Sequence, residues 1–516
     1  MKYLLIIALY FILQPVFGQQ NYLSIHSFYK DQLFANKLDQ PYNGGSFFPI
    51  RESEYNLIPT INDSSKQYYD FTHILFQKHL IEIKGEDFYL TIDPVLDFSG
   101  GKNLEDTISR RLFQNTRGFH VEGDFFKNFS FSTTLYENQA RFNSYESAYY
   151  SSMGELYPRP DSTYLTQNAV VPGSGRTKPF KGDGFDYSSA EGYFVYTPIK
   201  SLAISIGNNM QFVGDGYRSL LLSDNSFNAP YFRTDWKINS KFSFTYLRSR
   251  HLNLMRRPAF GAAESYYESK GYSANYFTYS PTPKISIGLF ESGNWNRGDS
   301  ITSRNVNALF YNPIPFIAGL ALKNKNEVVS LLGLNLSYQL TDNQRVYGQL
   351  AINDYNSKKT AVQLGYRGYN YFGIGDFMLQ AEYNYVGNGT YETSNRRLNN
   401  IHFNLPVTHV KGNGFQEFLL RSNFEYKRAY IDLTFVYYLT SNYSSTALLP
   451  VYDVMPRSSN DIFYENLEVG YRFNRKMNLM LFANWTYRRE TNSVLLGTNS
   501  IQVGLRTGLR NSYKDF

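Results

Sequence analysis

The chain has 516 residues, no cysteine and a net charge of +7, and 17% of its residues are aromatic. The aromatic content excludes a disordered chain, because that class is poor in aromatic residues. A small charge excess spread over this length forms no basic patch, so nucleic-acid binding is not expected. The lack of cysteine excludes disulfides, zinc–thiolate sites and cysteine nucleophiles.

The N-terminus is typical of a secretory signal peptide over residues 1–18. Met1 and Lys2 form a short positive region, residues 3–13 are apolar, and cleavage is predicted before Gln19. No later stretch has the roughly 20 consecutive apolar residues that a transmembrane helix needs. The sequence therefore predicts an exported protein that helices do not hold in a membrane.

Residues 19–85 differ in pattern from everything that follows them. Three prolines and a Gly-Gly pair interrupt this segment, and short helices are predicted around 22–37 and 51–75. We expect a small, partly helical N-terminal plug or periplasmic segment, with a flexible arm as the alternative.

From residue 86 to 516 the dominant pattern is an alternation with a period of two. In 332–340 five apolar residues alternate with Gly, Asn, Ser and Gln, and 377–385, 467–473 and 501–510 behave in the same way. The polar faces carry long charged side chains and many apolar faces end in aromatic residues. A soluble β-sandwich would alternate too, but a polar lumen and aromatic girdles are typical of a transmembrane β-barrel.

The connections between these runs alternate between short and long, as expected for periplasmic turns and outer loops. Eight short and nine long connections join eighteen strands, an even number that leaves both ends on the periplasmic side. The prediction is an all-β fold, an antiparallel outer-membrane barrel of about eighteen strands. The short connections fall near 125–127, 198–199, 239–240, 281–283, 341–343, 371–375, 428 and 475–476, and the long ones near 98–110, 141–184, 214–227, 253–265, 296–327, 356–359, 388–413, 441–462 and 490–497.

Residues 206–223, with the sequence IGNNMQFVGDGYRSLLLS, resemble the signature stretch of the Wzi-like family of capsule-assembly proteins of the outer membrane. The stretches TRGFHVEG at 116–123, YENQARF at 136–142 and LQAEYN at 379–384 add to this resemblance. The RemB-type gliding-motility proteins of Bacteroidota are the members that the chain looks most like. The capsular members carry a Trp-Gly pair where this chain has Val213 and Gly214.

The resemblance implies a plugged eighteen-stranded barrel that binds surface polysaccharide without catalysis. It also implies links to gliding motility, adhesion and type IX secretion components. Polysaccharide or lipopolysaccharide and membrane lipid are the expected partners.

Seven residues are candidates for binding carbohydrate in predicted outer loops. Their planar donors and acceptors and one aromatic ring suit a hydroxyl-rich ligand, and an arginine fork suits a uronate carboxylate. The structural alternative is that Asp215 and Arg218 pair with each other or with the plug. The candidates are Asp215, Tyr217, Arg218, Asp224, Asn225, Arg256 and Arg257.

A second set of polar residues is predicted to face the lumen and contact the plug. Charges inside a plugged lumen must be paired, because an unpaired buried charge is costly. A permeation pathway is the alternative role for this set. Its members are Arg117, Glu137, Gln139, Gln380, Glu382, Glu417 and Arg421.

No enzyme motif is found in the sequence. The seven histidines include no His-Glu-x-x-His zinc site, and no Gly-x-Ser-x-Gly elbow or Gly-rich phosphate loop is present. We therefore expect no catalysis, no metal and no cofactor. The alternatives to a polysaccharide-binding barrel are a transport channel, an accessory subunit of a secretion or gliding machine and, last, a barrel enzyme.

Overall fold

Eighteen antiparallel strands form one sheet that closes on itself, because the last strand pairs with the first. The computed structural model describes residues 21–36, 46–51, 70–105, 111–126, 128–159, 161, 163–256, 267–298, 304–323, 325–371, 374–441, 448–451, 460–491, 497–508 and 510–516. The predicted all-β class and strand number are confirmed. The strands are β1 (Phe88–Asn103), β2 (Arg111–Phe125), β3 (Phe129–Arg141), β4 (Gly184–Ile199), β5 (Leu202–Asn209), β6 (Ala229–Lys237), β7 (Phe242–Arg256), β8 (Tyr267–Thr282), β9 (Ile285–Trp295), β10 (Val328–Thr341), β11 (Gln344–Asn353), β12 (Thr360–Tyr369), β13 (Phe377–Val386), β14 (Phe415–Tyr426), β15 (Ala429–Thr440), β16 (Asp461–Asn474), β17 (Leu479–Glu490) and β18 (Thr498–Thr507).

Alternating side chains give the wall an apolar outer face and a polar inner face. Across β10, β11 and β12, Asn335, Gln349 and Gln363 lie side by side in register and are buried on the lumenal side. Their neighbours Leu350 and Leu364 are exposed on the outside. Exposed leucines on the outer face are stable in lipid, so this wall is that of a transmembrane barrel.

Aromatic rings border the apolar outer face at both ends of the strands. Near the short turns, Phe129 and Tyr196 stack with ring centroids 4.6 Å apart. Near the long loops, Phe463 lies 5.1 Å from Phe435 and 5.9 Å from Tyr487. Such girdles mark the two interfaces of a membrane. Short turns of two to several residues join the strands at the end where β1 begins and β18 ends, which makes that end the periplasmic one.

The outer loops contain several small elements. In the 142–183 loop, α3 (Ser144–Ser152) begins where the Glu146 carboxylate accepts the backbone N–H of Asn143 at 3.0 Å. Its other elements are the strand pairs Glu155–Pro158 with Tyr164–Gln167 and Val170–Val171 with Gly175–Arg176, and Lys178–Phe180, which pairs with β4. The 296–327 loop holds a 3-10 turn (Ala308–Tyr311) and α4 (Ile317–Ala321), and the 387–414 loop holds a 3-10 turn (Arg396–Leu398) and the pair Ile401–His402 with Leu405–Pro406.

The described segments that precede β1 in the chain lie inside the barrel or at its periplasmic end. Helix α1 (Ser27–Asn36) lies in the lumen, and Phe47–Phe48 pairs with Phe212–Val213. Helix α2 (Asp70–Phe76) lies at the periplasmic rim, and Ile81–Lys84 pairs with β1. We use "plug" for residues 21–36 and 46–51. Within the described ranges, no helix is long and apolar enough to cross a membrane.

Candidate binding site in the barrel lumen

Between β5 and β6 the chain leaves the wall and folds into the lumen; we call residues 210–228 the inward segment. Asn209 and Ala229, which flank it, are directly opposite each other in register. Leucines 220–222 are buried against lumen-facing aromatic residues of the wall, including Tyr276. The prediction of an exposed outer loop is wrong here, because burying three consecutive leucines removes a large apolar surface from water.

Asp215 joins the inward segment to the plug and to the wall. Its carboxylate accepts hydrogen bonds from the Ser46 hydroxyl and from the Asn335 amide, each at 2.9 Å. The Arg345 guanidinium lies 4.0 Å away. Asp215 is buried, so its carboxylate contacts groups inside the protein and does not face an external ligand.

The backbone around Tyr217 and Arg218 is held by one wall carboxylate. Glu382 accepts both backbone N–H groups, that of Arg218 at 3.2 Å. A Cβ atom at Gly216 would lie 2.8 Å from the carbonyl oxygen of Arg218 and 2.9 Å from Glu382. This close approach therefore requires glycine.

Arg218 is the centre of a buried ionic network. Its Nε donates to Glu417 at 3.0 Å, and a terminal nitrogen donates to Asp515 and, at 3.3 Å, to the Tyr438 hydroxyl. Burial alone would lower the pKa of Arg218, but the Asp515 and Glu417 carboxylates raise it well above its ordinary value. Glu417 also bonds His409 of an outer loop at 2.9 Å. Arg218 thus pairs with Glu417 of the wall and with Asp515, and not with Asp215.

Asp224 and Asn225 hold the other end of the inward segment. Asp224 accepts hydrogen bonds from Asn511 at 2.8 Å and from the Tyr513 hydroxyl at 2.7 Å. Asn225 donates to the carbonyl oxygen of Pro406 at 3.2 Å. Residues 510–516, which we call the C-terminal segment, therefore lie inside the barrel together with the inward segment.

Arg256 is separated from this group and lies at the outer end of β7. Its guanidinium donates to Glu155 at 2.8 Å, and Arg176 contacts the same carboxylate. Arg256 is buried by this contact. Arg257, the remaining carbohydrate candidate, lies outside the described residues.

Four of the seven predicted lumenal residues face the lumen: Gln380, Glu382, Glu417 and Arg421. Arg421 donates to Asp31 of the plug at 3.2 Å and to Gln380 at 3.0 Å. These contacts couple the wall to α1.

The prediction of a lumenal position is wrong for Arg117, Glu137 and Gln139. The Thr116 hydroxyl donates to Asn138 at 2.6 Å across the inner face, so the next residue on each strand points outward. Arg117 and Glu137 are exposed and lie opposite each other in register. The predicted alternation is one residue out of step here, and a shift of one residue exchanges the inner and outer faces of a strand.

The plug residues that make the lumenal contacts are not among the residues predicted from the sequence. The Lys30 ammonium donates to the carbonyl oxygen of Gly216 at 3.0 Å and lies 3.5 Å from the Phe212 ring centroid. Burial lowers the pKa of Lys30 to about 7. A signal was present, since Lys30 and Asp31 are adjacent charges within an otherwise uncharged helical stretch.

A cavity of about 740 Å³ remains beside the plug, and we call it the lumenal chamber. It lies along β1–β3 and β13–β18, beneath Phe142 and Tyr150 of an outer loop, and it reaches the turn residues Asn343 and Arg475 at the periplasmic rim. Its described lining holds equal numbers of acidic and basic side chains. The acids are Asp31, Asp97, Asp376, Glu425, Asp432 and Glu468, and the bases are Arg421, Arg472, Arg475, Arg506, Arg510 and Lys514.

The described residues do not meet the requirements of a metal site. No group of three or more His, Asp or Glu side chains among them could hold a metal ion. The arrangement suits hydrogen bonding and ion pairing, which hold the segments inside the barrel together.

Comparison with known proteins gives a likeness of fold only. No family model matches the sequence, and no curated protein matches it. Among solved structures, the chain is similar to Wzi of Escherichia coli, an outer-membrane protein involved in group 1 capsule assembly and a carbohydrate-binding β-barrel. The TM-score is 0.54 and the identity 11%, over 94% of this chain and 99% of that chain. OpdK of Pseudomonas aeruginosa has a TM-score of 0.45 and 10% identity, over 82% and 98%.

Proposed function

We propose that this protein is an outer-membrane barrel that binds or organises cell-surface polysaccharide without catalysing a reaction. The observation that carries the proposal is the filling of the lumen by the chain itself. The plug, the inward segment and the C-terminal segment meet there through buried contacts such as Arg218 with Asp515 and Ser46 with Asp215. A barrel closed in this way acts as a scaffold, and the fold likeness to carbohydrate-binding Wzi supports polysaccharide as what it holds.

The resemblance of residues 206–223 to the signature stretch of the Wzi-like family supports a role in gliding motility or adhesion. In this proposal, lipopolysaccharide, membrane lipid and gliding or type IX secretion components are the neighbours of the barrel. An accessory-subunit role would need an exposed apolar loop patch. The apolar loop residues that the sequence offers for such a patch are Phe310, Phe316, Leu448, Leu449 and Val451. Three of them, Phe310, Leu448 and Leu449, are buried.

A transport channel is the second candidate, and the lumenal chamber is the observation that favours it. The chamber reaches the periplasmic rim, but Phe142 and Tyr150 lie over its outer end. A channel would require these residues and the inward segment to move.

The test is polysaccharide retention by cells with and without the gene. We expect deletion to raise the ratio of released to cell-bound polysaccharide, and expression of the full chain to restore it. In parallel, the purified barrel should bind the isolated surface polysaccharide in a pull-down assay. An unchanged ratio together with no binding would overturn the proposal.

A further inference from the structure

The basic side chains around the lumenal chamber are already paired within the protein. All six basic side chains of its described lining have a carboxylate oxygen within 3.8 Å, as Arg506 has Glu468 at 2.5 Å. The acidic and basic groups are equal in number. An anionic ligand would find no unpaired basic side chain in this lining, so the chamber favours a neutral sugar over an acidic one.

Amide and hydroxyl groups make up much of the remaining polar lining. Asn466 and Asn484 exchange side-chain hydrogen bonds at 3.1 Å on one wall, and Thr116 bonds Asn138 on another. Such groups both donate and accept, as sugar hydroxyls do. Aromatic rings, including that of Tyr187, lie beside them and provide apolar surfaces for sugar C–H groups.

One chamber hydroxyl has no protein partner. Tyr136 is only 7% exposed, and its hydroxyl bonds no group in the described part of the chain. The Arg510 guanidinium lies 4.5 Å from the centroid of the Tyr136 ring. Buried hydroxyls are almost always hydrogen-bonded, so this one is suited to a ligand.

We propose that the lumenal chamber binds a neutral oligosaccharide that enters from the periplasmic end, with the Tyr136 hydroxyl as one of its hydrogen-bonding groups. Its volume is within the roughly 300–1,000 Å³ of small-molecule sites. Entry is from the periplasm because Phe142 and Tyr150 lie over the other end. The inference rests on the proposed polysaccharide role and places its contact inside the barrel.

The test is calorimetric titration of the purified full chain with maltohexaose, chitohexaose and the anionic hexamer of galacturonic acid. The two neutral probes distinguish a glucan-like ligand from a peptidoglycan-like one. Tyr136→Phe removes a hydroxyl that has no protein partner, so the fold should keep its stability. We expect this variant to weaken binding of the preferred neutral hexamer roughly tenfold. Tyr338→Phe, on the outer wall, is the matched control and should bind like the wild type.

Equal binding by the wild type and Tyr136→Phe would overturn the inference, as would tighter binding of the galacturonate hexamer. Ser99→Trp, which places a large ring in the chamber, should abolish binding and checks the location independently. If the wild type still binds intact surface polysaccharide while chamber variants change nothing, the proposed function survives and the chamber site does not. If the wild type binds neither hexamer nor polysaccharide, both fail.

Discussion

At the scale of single residues, the buried charges of this barrel depend on their partners. Arg218 neutralises Glu417 and Asp515 in a region with almost no solvent. Removing one member of such a network leaves the others buried and unpaired, which costs far more than the loss of an exposed ion pair.

We therefore expect Arg218→Met to lower the free energy of unfolding by about 3–5 kcal/mol. The control is Arg489→Met, because Arg489 is largely exposed and lies 3.8 Å from Glu105. Its effect should be below about 1 kcal/mol. Guanidinium titration in lipid vesicles measures both, and equal effects of the two substitutions would contradict the network.

His402 predicts a dependence of stability on pH. Burial, together with the nearby charge of Lys270, lowers the pKa of His402 to about 4, although the hydrogen bond to the Asn228 carbonyl oxygen raises it. An unfolded histidine titrates near pH 6.5, so between about 6.5 and 4 the unfolded state binds one more proton. Stability should fall by about 2–3 kcal/mol as the pH drops through this window. His402→Gln should reduce this slope, and an unchanged slope would contradict the assignment.

Which face a residue occupies could be predicted for some residues and not for others. Gln380 and Glu382 alternate with Leu379 and Ala381 in a clear pattern. Arg117 and Glu137 share the outer faces of β2 and β3 with the exposed Phe119 and Leu135, but their charge suggests the lumen. The cross-strand bond between Thr116 and Asn138 shows that these two charged residues point outward.

At the scale of elements, the segments inside the barrel were harder to predict than its strands. A strand with lipid on one side and the lumen on the other must alternate apolar and polar residues, so it can be recognised in the sequence. The inward segment and the C-terminal segment are irregular, and their positions depend on contacts with residues far away in sequence. Asn511 with Asp224 is one such contact.

The pairing of the plug with the inward segment can be tested by crosslinking. Phe47 and Val213 are direct antiparallel partners, at a spacing that a disulfide spans. The chain has no cysteine, so Phe47→Cys with Val213→Cys creates one pair. We expect an intramolecular disulfide detected by mass spectrometry, with each single variant as a control. Absence of the crosslink under oxidising conditions would contradict a plug inside the barrel.

The 296–327 loop, which contains α4, packs against the lipid-facing side of the barrel wall. Arg248 donates to the carbonyl oxygens of Phe310 and Asn312, and the loop thereby covers polar groups on a face that meets lipid. Leu320 is 60% exposed on the loop surface. We expect Leu320→Trp to be quenched by brominated lipid chains, and Tyr164→Trp in the outer hairpin to be unaffected. Equal fluorescence of both with and without brominated lipid would contradict this position.

At the scale of the whole molecule, the architecture follows from two repeating features of the sequence. Alternation sets the strands, and the alternation of short turns with long loops sets their number and direction. The observed short connections, such as 283–284 and 475–478, lie within a few residues of their predicted places. The segments inside the barrel have no such repeating pattern, so their positions depend on contacts between individual residues.

If the chain closes its own barrel, single-channel conductance of the purified protein in a planar bilayer should show it. We expect silence from the full chain and steady conductance after deletion of residues 21–51, with insertion of both verified by heat modifiability on gels. Steady conductance from the full chain would contradict the closed scaffold and favour the channel.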